Sequence, residues 1–272
     1  MKKFLFVIPQ SPKHIVTPFR QRLIDQSYRS LVSQTTDEWE ALFLGEEERT
    51  EGNCHYIKSP FITKEEKLHF VVDLLLKEQN LPQYIIRFDD DDLIHPAVLS
   101  KLSGLQFDCY ADLWHTFYDV SSGKCSAQKR AWLPNTVVHK TEHALASYGE
   151  YHYVVKSDLR RPHLLQNDHS KWWHNYYKDK NVVYAPKEQP MYLRLLSPTS
   201  FTAVAGNTGD EQEKYSVYLS KFGDWSDNVP SGYERYTQKL LSDWKELNGP
   251  LWENKSGGSK SFLGKLGKIF RG

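Results

Sequence analysis

Residues 83–96 read Gln-Tyr-Ile-Ile-Arg-Phe-Asp-Asp-Asp-Asp-Leu-Ile-His-Pro, and this stretch restricts the fold more than any other. Tyr84 to Phe88 is a short β-type run that leads without a spacer into four consecutive carboxylates. Adjacent like charges raise one another's pKa unless a cation neutralises them. Leu93-Ile94 and Pro96 close the run on its far side, so the acids are not a free acidic tail. A hard divalent ion is the simplest remedy, and Mg²⁺ typically takes one or two carboxylates together with substrate phosphates. The carboxyl end of a strand in an open α/β sheet is also where ligands gather. The stretch points to a metal–diphosphate site, with a solvated acidic loop as the plain alternative.

The elements before it set the fold class. Phe4-Leu5-Phe6-Val7-Ile8 is a continuous apolar run closed by Pro9, the pattern of a strand buried on both faces. Thr17-Pro18 opens a helix, with a capping residue followed by proline at the first helical position. Leu23-Ile24, Tyr28 and Leu31-Val32 form its apolar stripe. Trp39 to Gly45 is a second strand and His55 to Ile57 a short third. Thr63 and Glu66 form a capping box for a helix through Leu76. Alternating apolar strands and amphipathic helices predict parallel βαβ units. Further on, Cys109 to Val120 reads as one strand-like stretch with a hairpin turn at Ser121 to Lys124. Asn135–His139, Val182–Tyr184 and Met191–Arg194 are further strand candidates, and Thr141–Ser147 a short helix. Helical patterns cover Glu211–Phe222 and a stripe from Tyr233 to Leu247 that Gly249-Pro250 should end.

Charge and cysteines narrow the class. The net charge is +1, so no global field argues for nucleic acid. From Lys255 onward there are five basic residues and no acid; 30 basic and 34 acidic residues precede them, a net of −4. Three cysteines without a CxxC spacing fit reduced thiols in a cytosolic setting. No apolar run is long enough for a membrane span or a secretory signal, so the expectation is a cytoplasmic protein. In the tail, Phe262, Leu263, Leu266, Ile269 and Phe270 share one helical face, with Lys265, Lys268 and Arg271 elsewhere. Such a segment reads as an anchor for an anionic membrane surface, which would make the chain peripheral on the inner face. A flexible tail after Ser256-Gly257-Gly258-Ser259 is the bland reading.

Four pieces in order resemble the family 2 type nucleotide-sugar glycosyltransferases of the GT-A fold. They are the first apolar strand, Ser30-Leu31-Val32-Ser33-Gln34-Thr35, Glu38-Trp39-Glu40, and Arg87 to Pro96. The resemblance implies a Rossmann-like, mostly parallel sheet flanked by helices over residues 1–205, followed by a helical C-terminal extension (206–254) and the basic tail (255–272). It implies that Asp89, Asp91 and Asp92 hold Mn²⁺ or Mg²⁺ against the donor diphosphate, with Asp90 also in contact with the donor. Glu46 falls where such enzymes place an acid facing the nucleotide, and Lys67 near a basic donor contact. Gln166 to Trp172 is similar to the family's Glu-Asp-x-x-x-x-Trp region, which makes Asp168 the expected base and Trp172 a platform for the acceptor; Asn167 departs from that pattern. Arg194 and Ser200 match a late Arg…Ser loop over the phosphates. The Gln-x-x-Arg-Trp motif of processive synthases is absent, which implies one sugar per event.

The implied reaction moves a sugar from a nucleotide-diphosphate donor to a glycan or lipid-linked acceptor in cell-surface polysaccharide synthesis, with inversion. Each role has a simpler counterpart. Asp168 could cap the aromatic helix that follows it, Trp172 could be core, Lys67 could be a surface lysine, and Glu46 could belong to a solvated acidic run. A catalytically inactive GT-A module that binds carbohydrate or a partner is the alternative from another class. A sugar nucleotidyltransferase would carry a Gly-rich N-terminal loop, and residues 9–20 contain no glycine.

Overall fold

Five consecutive apolar residues require cover on both faces of a strand, and β1 (Phe4–Pro9) has it. Phe4, Phe6 and Ile8 pack with Leu31 of α1 (Pro18–Val32) and with Trp39 and Phe43 of β2 (Trp39–Gly45). An edge hairpin follows, from β3 (Arg49–Glu51) to β4 (Cys54–Lys58), with Gly52 in the turn at φ +58°. On the other face of β1, Leu5 and Val7 meet Leu68, Val71, Val72 and Leu75 of α2 (Lys64–Leu75). Burying each such side chain contributes about 1.5–3 kcal/mol. β5 (Tyr84–Arg87) lies on the opposite side of β1 from β2, and both pair with it in parallel. The computed structural model describes residues 2–129, 134–146, 163–165, 176–200 and 211–256.

Both expected helix starts are present. Thr17 Oγ1 accepts from the Arg20 amide at 3.1 Å, with Pro18 at the first helical position. Thr63 and Glu66 exchange the two capping-box hydrogen bonds, each at 3.3 Å. A cap of this kind is worth about 1 kcal/mol.

The acids that follow β5 lead into β6 (Leu93–Ile94), which belongs to a different sheet. After α3 (Val98–Ser103), the stretch expected as one strand divides. β7 (Cys109–Ala111) stays in the large sheet, and β8 (Trp114–Asp119) enters the small one. Asp112 marks the division: its buried carboxylate accepts from the Met191 and Tyr192 amides at 2.9 and 3.0 Å. The hairpin to β9 (Lys124–Lys129) turns where expected, with Gly123 at φ +76°. β10 (Val137–Lys140) inserts between β5 and β7, antiparallel to both, and α4 (Thr141–Leu145) follows it. β11 (Val182–Tyr184) and β12 (Tyr192–Leu196) complete the strands. The large sheet has the order β11-β7-β10-β5-β1-β2-β4-β3 and is mixed; its β5-β1-β2-β4 centre is parallel. The small sheet has the order β6-β12-β8-β9.

Two C-terminal helices cover the small sheet. Tyr215 and Tyr218 of α5 (Glu211–Leu219), with Phe222, pack on Phe117 and Leu196. Tyr236, Leu240 and Trp244 of α6 (Glu234–Ser256) pack with Phe19 and Leu23 of α1 and with Leu93 and Leu193. The Phe19 and Trp244 rings meet edge-on at 4.8 Å. Gly249-Pro250 does not end α6, which runs on to Ser256. A proline removes one intrahelical hydrogen bond, and the helical path resumes after it. Among the described residues no helix is long and apolar enough to cross a membrane. All three cysteines are buried and unpaired.

Candidate active site

Asp89–Asp92 span the joint between the two sheets. Upstream, Phe88 donates its amide to Val7 O at 3.0 Å, which fixes the end of β5 beside the end of β1. Downstream, Leu93 and Ile94 pair with Leu193 and Tyr192 of β12. The four carboxylates therefore leave one short segment toward four different sets of partners.

Asp90 and Asp92 are buried and held by the backbone. Asp90 accepts from the Ser11 amide at 2.5 Å and the Ser11 hydroxyl at 3.0 Å. Asp92 accepts from the Leu195 amide at 2.7 Å and from the Tyr192 hydroxyl. Burial, with Asp91 alongside, pushes Asp90 up to about 7 against the pull of Ser11 and Arg20. Burial, Asp91 and Asp89 push Asp92 well above the usual carboxylate range. Asp89 and Asp91 are only partly buried, and each has a cation. Asp89 pairs with Lys64 and accepts from Asn135 Nδ2 at 2.5 Å. Burial would raise Asp89, but Lys64 and Arg87 outweigh it and hold the carboxyl at about 2. Asp91 pairs with Arg20 at 2.9 Å, and the same guanidinium donates to Ser11 Oγ at 2.8 and 3.1 Å.

These groups open onto a cleft of about 410 Å³, within the size range of small-ligand sites. Its walls are the loop after β1 (Gln10, Ser11, His14), the first turns of α1 and α2 (Arg20, Lys64), and Arg194 and Ser200. Burial works against the charge on Arg194, but Tyr218, Asp92, Tyr192 and Asp89 outweigh it and raise its pKa. All four acids, Arg194 and Ser200 thus come together. Glu46 and Lys67 instead line an adjoining cleft of about 500 Å³, which shares Gln10, Ser11 and Asp90 with the first. Lys67 is a buried lysine rather than a surface one, and its ammonium donates to Gln10 O at 2.8 Å. Burial lowers its pKa, partly offset by Asp90 and Glu46. The second cleft is floored by Tyr28, Phe43 and Tyr56; the last two rings stack at 4.7 Å, and Arg49 lies 3.6 Å from the Tyr56 centroid. Asp168 and Trp172 lie outside the described residues.

No protein-family model matches this sequence, and no curated protein matches it. Among solved structures it is similar to S. aureus TarS 1–349, at 10% identity over 98% of this chain and 77% of that one, with a TM-score of 0.45. The same protein in complex with UDP-GlcNAc aligns equally well, over 78% of that chain. The glycosyltransferase GlyE of Streptococcus pneumoniae TIGR4 aligns at 11% identity over 90% of this chain and 64% of that one, with a TM-score of 0.35. At such scores the likeness decides nothing about chemistry.

Sequence reasoning passed over Ser11, Arg20, Lys64, Asn135 and Tyr192. Ser11 and Arg20 had a usable signal, because they follow the carboxyl end of the first strand, where ligands of α/β sheets gather. Lys64 lies three residues before Lys67 on the same helix, and residues at that spacing share a face. Asn135 and Tyr192 come from distant segments and carry no local signal.

The carboxylates after β5 do not converge as a preformed cation cage. Among the described residues, three ligand atoms lie within 4.8 Å of one another only at Asp108, Glu142 and His143. There Lys140 already stands 2.8 Å from Glu142 and 3.9 Å from Asp108. The donor set of the main cleft nevertheless suits a hard divalent ion: Asp89 and Asp91 offer oxygens, and each is partly exposed toward open volume.

Proposed function

We propose that this chain is a metal-dependent glycosyltransferase. It moves a sugar from a nucleotide-diphosphate donor to a glycan or lipid-linked acceptor in cell-surface polysaccharide synthesis, one sugar at a time and with inversion. The observation that carries this reading is the cleft at the sheet joint, where Asp89 and Asp91 face Lys64, Arg20 and Arg194. Acids and cations lining one cleft fit a cation bound together with a diphosphate.

Asp89 and Asp91 would hold Mn²⁺ or Mg²⁺. Asp92, expected as a third ligand, is buried with its two oxygens on the Tyr192 hydroxyl and the Leu195 amide, so it is proposed to brace the loop from behind instead. Bound there, a divalent ion supplies Lewis-acid neutralisation of the departing nucleoside diphosphate. Arg194 adds a fixed positive charge in a shielded site, where such charges count most. The adjoining cleft suits the nucleoside: Tyr28, Phe43 and Tyr56 offer flat apolar surface for a base, and Glu46 offers an acceptor for its N–H groups. Asp90 lies where the two clefts meet, and Lys67 reaches the shared Gln10 from the second; both are proposed to contact the donor. Asp168 is proposed as the base that takes the acceptor's hydroxyl proton, and Trp172 as a stacking surface for the acceptor sugar. The chain is proposed to work in the cytoplasm, with its tail on the inner face of the membrane.

Isothermal titration with UDP, GDP and TDP in the presence of Mn²⁺ tests the reading. One of the three should bind with metal-dependent heat. Absence of heat with all three would leave an α/β binding module instead.

A further inference from the structure

We propose that Lys64 and Arg20 are stand-in cations. They neutralise Asp89 and Asp91 until a divalent ion takes those carboxylates, and are then released to the donor's diphosphate. The inference rests on the donor reading above and adds an order of events to it.

The four acids fall into two classes by their partners. Asp90 and Asp92 are tied to backbone amides, and Asp90 meets Arg20 only at 3.8 Å; neither acid can change partner without breaking the loop's anchorage. Asp89 and Asp91 are each paired with the head of a long side chain from another element. Lys64 stands on the first turn of α2 and is 44% exposed, so it can swing at little cost. Arg20 stands on the first turn of α1, and the Ser11 hydroxyl holds its guanidinium at the mouth of the cleft. Both line the same cleft as Arg194, so a cation displaced from its carboxylate stays beside the diphosphate rather than entering bulk solvent.

The spread of the carboxylates points the same way. Three converging ligand atoms are absent from this loop. Lys64 and Asn135 occupy the two oxygens of Asp89, and Arg20 occupies Oδ2 of Asp91, so a divalent ion held by both acids competes with those partners. Metal alone therefore competes with Lys64 and Arg20. Metal together with a diphosphate does not, because the diphosphate takes the displaced cations. The two ligands should bind cooperatively, each raising the other's affinity by the same factor.

The test is calorimetry on the full chain with Mn²⁺ alone, comparing the unsubstituted protein with Lys64→Met and Arg20→Met. Mn²⁺ alone should bind at least about fivefold tighter to each variant, the low end of typical coupling. The nucleoside diphosphate, titrated at saturating Mn²⁺, should bind about fivefold or more weakly. Unchanged or weaker Mn²⁺ binding in both variants overturns the proposal. Lys64→Met alone carries the test should Arg20→Met fail to fold. An unsubstituted chain that binds Mn²⁺ but no nucleoside diphosphate overturns the donor reading instead, a separate signature.

Discussion

The Tyr192 hydroxyl donates a hydrogen bond to Asp92, and so ties the acid segment after β5 to an inner strand of the other sheet. Tyr192→Phe removes that donor and preserves the edge-on contact of the ring with Phe88, at 6.0 Å. Asp92 would keep the Leu195 amide but lose its second buried partner. Leaving a buried acceptor unsatisfied costs about 1–3 kcal/mol. Tyr192→Phe should lower the urea midpoint accordingly and weaken Mn²⁺-supported nucleotide binding, because the acids next to Asp92 lose their fixed frame. Full retention of both would show that the phenol is dispensable.

Asp91→Ala separates the site from the fold. Its only described ion-pair partner is Arg20, and the pair is partly open to solvent. Losing such a pair costs less than about 1 kcal/mol. Thermal unfolding should barely move, while metal-supported diphosphate binding and sugar transfer are lost. An active Asp91→Ala would remove Asp91 from the metal site.

Asp168→Asn probes the acceptor side. General-base catalysis typically contributes about 10²- to 10⁴-fold. The variant should bind donor and metal normally and lose turnover by about that factor, measured as sugar transfer under donor saturation. Unchanged turnover would move the base elsewhere.

Much of the fold was legible because its signals are local. Phe4–Ile8 is buried on both faces as its composition requires. Thr17-Pro18 and Thr63…Glu66 act where they stand in the chain. The site was legible in part: the acids, Arg194 and Ser200 share a cleft. What could not be read depends on distant partners. The small sheet is assembled from a two-residue strand and from strands that lie far apart in the chain. The direction of β10 follows from its neighbours, since alternation looks the same either way. Lys64 and Lys67 differ by one helical turn, and only packing decides that Lys67 is buried against Gln10 while Lys64 reaches Asp89.

The tail bears on where the chain works. Its basic residues near an anionic surface would each contribute about 1 kcal/mol, and Gly264 and Gly267 each weaken a helix by about 1 kcal/mol in water. Binding should therefore need anionic lipid and fade with salt. Sedimentation with phosphatidylglycerol vesicles should pull down the full chain and leave a chain truncated after Ser256 in solution. Equal recovery of the two would remove the tail from the membrane reading.

Stability should depend on pH in a direction set by the buried acids. Burial raises Asp112 to about 7, and burial with Asp91 does the same to Asp90; Asp92 is shifted the same way. In the unfolded chain such carboxyls titrate at about 3.9. Between those values the folded protein binds more protons, so stability falls as pH rises from about 4 through about 7. Asp89 has the opposite sign: held at about 2, its contribution is present above about 4 and is lost as pH falls toward 2. Asp112→Asn isolates one contribution, away from the cleft. The amide oxygen can still accept from one of the Met191 and Tyr192 amides, so the variant should be less stable overall. It should also lose stability less steeply between about pH 4.5 and about pH 7.5, read as urea midpoints. A slope as steep as that of the unsubstituted chain would mean that Asp112 is ionised throughout, its two backbone amides outweighing the cost of burying its charge.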